Sequence, residues 1–217
     1  MRPTAGGRRR RRGGEGEVEV FVADEQTAEP VELARWSALA TEVLAAEGVE
    51  GNAELSVLFV TEEVITDLNK QFMGADGPTD VLSFPIDDDA FETVRWPDPS
   101  TTGPARPPSH HDDAPMLLGD VVICPAVAAR NAPEHAGSYD DELALLVVHG
   151  VLHVLGMDHA EPAEAEAMRA REAELLARFH GVVSVGTEIP ADVVAEPEPA
   201  AEPEPAVDGD PPAPPPS

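Results

Sequence analysis

The chain is 217 residues long, 42% of them hydrophobic, which is enough for one sizeable core, and it carries a net charge of −28 with a single cysteine. These values exclude a disulfide framework and argue against a protein that holds nucleic acid by broad basic attraction. No apolar run approaches the roughly eighteen residues of a membrane span, and Arg8 to Arg12 are followed by glycine and glutamate rather than an apolar leader, so a cytoplasmic protein is expected.

The charge is not confined to one end: residues 17–191 hold eight Lys and Arg against thirty-four Asp and Glu. An RNA substrate would need a local basic patch, a metal, the Arg8 to Arg12 arm, or delivery by a partner. Composition divides the chain into a basic, Gly-rich arm at 1–16, one folded domain at 17–182 and a Pro/Glu/Ala tail at 183–217. The arm and tail have too little apolar surface to offset the entropy of ordering.

Val18, Val20 and Val22 alternate with Glu19 and Phe21, as in a strand with one face more fully buried. Pro30 is expected to open a helix through Leu33, Trp36, Leu39, Ala40, Val43 and Leu44, stopping at Gly48. Leu55 to Val60 read as a second strand, after which Thr61 caps a short helix running through Leu68 and Phe72. Gly74 to Gly77 turn the chain into a short strand, Thr79 to Pro85, whose flanking prolines place it near a sheet edge. Residues 87–115 read as an irregular insertion in which His110 and His111 are expected to be solvated.

Order resumes in the strand Leu117 to Cys124, with Cys124 expected to be buried and inert, and Pro125 opens a helix ending near Pro133. Ser138 is a candidate cap for the next helix, with Asp140, Asp141 and Glu142 in its first turn, where the helix dipole favours them. That helix is apolar nearly all round up to His149, so it is expected at the centre of the fold. Residues 161–179 form an amphipathic helix with Met168, Leu175, Leu176 and Phe179 on one side. Alternating strands and helices predict an α/β (α+β) single domain with a central mixed sheet of about four strands.

Three of the seven histidines fall within His149-Gly-Val-Leu-His153-Val-Leu-Gly156-Met-Asp-His159. His149 and His153, four apart, share one helix face. On a continued helix His159 would lie roughly 9 Å further along the axis, beyond the reach of an ion bound at ~2.0–2.1 Å. Gly156 can adopt the left-handed conformation that ends a helix and lets His159 turn back. Three histidine ligands with a fourth position open describe a catalytic zinc site. The same spacing occurs in metzincin proteases, but there a Glu follows the first His as general base, whereas Gly150 stands here.

Together with Gly77-Pro-Thr-Asp80-Val-Leu-Ser-Phe-Pro85 and Leu118-Gly-Asp120-Val121, the histidine motif resembles the YbeY family of bacterial rRNA maturation factors, across roughly residues 17–182. The resemblance implies a zinc-dependent, single-strand-specific endoribonuclease with one zinc ion held by His149, His153 and His159. It further implies trimming of the 3′ end of small-subunit rRNA, ribosome quality control and contact with the small ribosomal subunit. The family commonly carries an Arg ahead of its Thr-Asp-Val-Leu-Ser-Phe-Pro motif, and here Phe72 and Met73 occupy that stretch, leaving Lys70 as the nearest cation for a phosphate. Since Gly150 provides no base, Asp80 and Asp120 are the candidate proton acceptors, with turn capping and orientation of a histidine as their alternative roles. A ribose 2′-OH nucleophile would instead leave a cyclic phosphate end. The alternatives are a zinc metallopeptidase-like hydrolase and a non-catalytic ribosome-assembly factor with a structural zinc.

Overall fold

The structure, a computed structural model, describes residues 16–86, 114–157 and 161–181. The arginine arm, His110 and His111, Asp158 and His159, and the Pro/Glu-rich tail lie outside the described residues. Strand β1 (Val18–Asp24) leads into helix α1 (Leu33–Ala46), strand β2 (Ala53–Phe59) and helix α2 (Glu62–Leu68), which continues as one π-helical turn (Asn69–Met73). Strands β3 (Val81–Pro85) and β4 (Met116–Ile123) follow, and then helices α3 (Pro125–Asn131), α4 (Tyr139–Val154) and α5 (Pro162–Phe179).

The four strands form one mixed sheet in the order β1-β2-β4-β3. β1, β2 and β4 are parallel and β3 pairs antiparallel to β4 at the edge, where Pro85 leaves no inner ladder unsatisfied. One face buries Leu55, Val57, Val121 and Ile123 against Trp36, Leu39 and Val43 of α1, Leu145 to Val148 of α4, and Met168, Leu175 and Leu176 of α5. The opposite face carries a smaller cluster built from Leu82, Val122, Ile65 and Val127, with Leu68, Met73 and Phe84 against it. Every residue of α4 from Glu142 to Val154 is buried, as its nearly continuous apolar sequence predicts.

The helix expected to begin at Pro30 starts instead at Leu33. The Gln26 side chain organises the preceding turn, accepting from the Ala28 and Glu29 amides, and the Pro30 carbonyl accepts from the Tyr139 hydroxyl at 3.2 Å. α1 ends as expected at Gly48, in the left-handed conformation, with Gly48 N donating to Ala45 O and Val49 N to Leu44 O. The Thr61 and Ser138 caps both form, accepting from Val64 N at 3.3 Å and Asp141 N at 3.1 Å. Cys124 is fully buried and burial pushes its thiol pKa up, in keeping with an inert role.

Candidate metal centre

The two histidines of α4 are almost wholly shielded, His149 at 2% and His153 at 1% exposure. Their spacing of four stacks the rings on one face, and the Nε2 atoms approach to 3.1 Å with the ring planes 77° apart. Two bonds of ~2.0–2.1 Å meeting at a tetrahedral angle would place their ends about 3.3 Å apart, so the pair fits a shared metal ion. Both donors are imidazole nitrogens, which suit zinc, nickel or copper alike.

Behind His149 lies a residue that the sequence reading passed over. Glu172 of α5, itself 1% exposed, places Oε1 2.6 Å from His149 Nδ1. A carboxylate in this place can accept from Nδ1–H, the tautomer that leaves the Nε2 lone pair for a metal. A signal for it was present: Met168, Glu172, Leu175, Leu176 and Phe179 recur at helical spacing, so position 172 falls inside the apolar stripe. An acidic side chain at a core position needs a buried partner.

α4 closes at Gly156 (φ 84°) as the motif predicts, with Gly156 N donating to His153 O at 2.8 Å and Met157 N to Leu152 O at 3.0 Å. These paired bonds satisfy the last carbonyls and redirect the chain. His159 lies just past this bend, outside the described residues.

Gly150 has a structural reason beyond the missing base. A β-carbon there would fall 2.4 Å from Val121 Cγ1 and 3.3 Å from Ser83 Oγ, and Ser83 Oγ donates to the Gly150 carbonyl at 3.3 Å. Position 150 is the close approach of α4 to β3 and β4, so a metzincin-like Glu has no room.

The other three sequence candidates are not brought to the imidazoles. Asp120 pairs with Phe84 across the ladder and lies beside Val121, which faces α4. Alternation along the strand therefore sends the Asp120 side chain to the opposite face. Lys70 is exposed on the π-helical turn, whose Phe72 packs edge-on against Phe84 on that opposite face. Asp80 is buried at the start of β3, where Oδ2 accepts from Asn131 Nδ2 at 2.9 Å.

Asp80 also belongs to the second set of ligand-capable groups among the described residues: the ligand atoms of Asp80, His135 and Glu142 all lie within 4.8 Å of one another. Glu142, in the first turn of α4 as expected, is 1% exposed, and burial raises its carboxyl pKa against the lowering effect of His135. Its two oxygens meet His135 Nδ1 at 3.1 Å and the Ala136 amide at 3.2 Å. This set closes on itself as a clasp on the α3–α4 turn. It stands two helical turns, about 10 Å, from His149 along α4. The His149–His153 pair, with its nitrogens converging and its outer partner in place, is the better metal cradle.

The chain matches the family model described as Endoribonuclease YbeY over residues 21–180. It is 48% identical over 162 residues to the endoribonuclease YbeY of Frankia casuarinae, an alignment covering 75% of each chain. It is 46% identical to that of Frankia alni over 79% of this chain and 89% of the relative, and 42% identical to that of Salinispora tropica over 77% and 99%. A match of this extent and identity, on a chain whose paired histidines and helix-ending glycine are in place, shows that the protein belongs to the YbeY family of endoribonucleases.

Proposed function

We propose that this protein is a metal-dependent endoribonuclease that cuts single-stranded RNA in rRNA processing, including 3′-end maturation of small-subunit rRNA and ribosome quality control. His149 and His153 hold the ion, and His159, three positions after Gly156 in the motif, is the proposed third ligand. The observation that carries the metal chemistry is the buried pair of Nε2 atoms 3.1 Å apart, with Glu172 behind one of them. Membership of the endoribonuclease YbeY family supports the choice of RNA as substrate.

When bound, one zinc ion supplies Lewis acidity toward a phosphoryl oxygen and a water activated near neutral pH. The chain's own part is to fix the two imidazoles on a rigid buried helix and to set the tautomer of His149. Packing around α4 also keeps bulk water from the inner side of the rings. No helix among the described residues is long and apolar enough to cross a membrane. With so acidic a domain, RNA is held by the ion, the arginine arm or a partner on the small ribosomal subunit, not by a broad basic surface.

The test is cleavage by the purified full chain of labelled single-stranded RNA and of an unfolded protein, with and without chelator. RNA should be cut, chelation should stop the reaction and added zinc should restore it. His153→Ala should lower zinc affinity by more than about 100-fold, beyond what loss of an outer partner costs. Chelator-resistant RNA cleavage, or cleavage of the protein substrate alone, would overturn the assignment.

A further inference from the structure

We infer that Glu172 is a positioning residue of the metal centre, and that α5 is thereby part of the site and not only a cover for the core. The inference rests on the metal reading above and deepens it. Two observations and one physical argument support it. The Glu172 carboxylate meets His149 Nδ1 at 2.6 Å, short for such a contact, with both side chains 2% exposed. Its second oxygen, Oε2, is buried with no hydrogen-bond partner among the described residues. A buried carboxylate satisfied at one oxygen alone is costly unless a positive charge lies close by, and a cation on the far nitrogen of the same ring supplies one.

The geometry also gives Glu172 a role that the hydrocarbon beside it on α5 cannot take. Without an acceptor at Nδ1, His149 is free to place its hydrogen on Nε2, the nitrogen that faces His153 and the ion. With the acceptor in place, the ring presents a lone pair there and its plane is fixed. The surrounding α5 residues, Met168, Leu175 and Leu176, are buried hydrocarbon and offer no substitute acceptor. α5 is held in place independently at two other points, by Arg171 on Glu47 at 2.6 Å and by His180, just after the helix, on Asp141 at 2.9 Å. Losing the Glu172 contact should therefore disturb the site more than the fold.

Three variants of the full chain, Glu172→Ala, Glu172→Leu and Glu172→Gln, distinguish this role from a purely structural one. Zinc affinity of the folded protein is read by competition with a chromogenic chelator, the site is read through the visible absorption bands of its cobalt(II) form, and thermal unfolding is followed without metal. Glu172→Ala and Glu172→Leu should weaken zinc by about 10–100-fold and alter the cobalt spectrum. Glu172→Gln, whose amide oxygen can still accept from Nδ1–H, should recover most of the affinity. If metal-free unfolding shifts while zinc affinity and cobalt bands stay at wild-type values in all three, Glu172 is structural and the inference falls. If wild-type protein itself fails to bind zinc or cobalt, the metal reading falls first, so the two failures are separable. Should Glu172→Ala not fold, the Leu and Gln pair carry the comparison.

Discussion

Gly150 illustrates how much a single residue can settle. In a buried helix a glycine costs about 1 kcal/mol relative to alanine, so its presence in the middle of α4 calls for a compensating contact. Val121 Cγ1 supplies it, since it stands 2.4 Å from where a β-carbon would be, and valine has no flexible end to swing away. Gly150→Ala is expected to be destabilising by about 1–3 kcal/mol from overpacking, less what helix propensity returns. Chemical denaturation should show the lower midpoint, and an alanine variant at least as stable as wild type would refute the close approach. The same contact explains why the general base seen after the first histidine in metzincins has no counterpart at this position. Glu172 teaches the complementary lesson, because its charge type, placed in an apolar stripe, was readable in the sequence while its partner was not.

At the scale of the element, α4 begins and ends with devices the sequence announces. Ser138 caps its start and Gly156 closes it, so the helix runs long enough to carry both histidines and no further. The first turn also gives the fold a pH dependence. The Asp141 carboxyl lies below its usual pKa range, chiefly through the hydrogen bond from Ser138 Oγ at 2.6 Å and further through His180, against an opposing effect of partial burial. A carboxyl whose folded pKa is lowered contributes stability above its unfolded value of about 3.9, and loses it as pH falls through the folded value. Glu142 has the reverse sign: burial raises its pKa, so its ionised form costs stability at neutral pH and that cost is relieved on acidification. Asp141→Asn should therefore cost up to about 1 kcal/mol at pH 7. The gap to wild type should narrow as pH falls through the folded value and close below it, and unfolding free energies measured across that range check it; a constant gap would show that Asp141 acts without its charge.

At the scale of the whole molecule, metal and fold should be linked. An ion that binds the folded chain alone adds about 2.7 kcal/mol of stability at a hundred times its dissociation constant. For a domain near 150 residues that is a rise in Tm of roughly 5–10 °C, since each kcal/mol is worth about 2–4 °C. Calorimetry with increasing zinc should show this rise, and His153→Ala should abolish it; equal rises in both proteins would place the bound zinc elsewhere, with Asp80, His135 and Glu142 the first set to examine. The strongly acidic surface makes wild-type specificity informative, because a loosely attracted cation would bind many carboxylates and be displaced by modest salt.

The amino-acid order by itself determined the elements and the heart of the site. Apolar periodicity fixed the strands and helices, proline flanks put β3 at an edge, and four-residue spacing put two imidazoles on one face of a helix that Gly156 must end. Each of these is local, decided by residues within a turn or two of one another. The tertiary structure alone decided that Glu172, twenty-three residues after His149, stands behind that ring, and that Gly150 seats against Val121. It also decided that Asp120 and Lys70 belong to the face turned away from the histidines, and that Asp80 keeps company with Glu142. Periodicity tells which side chains share a face of their own element, but which face meets which neighbour follows from packing the sheet and its helices together.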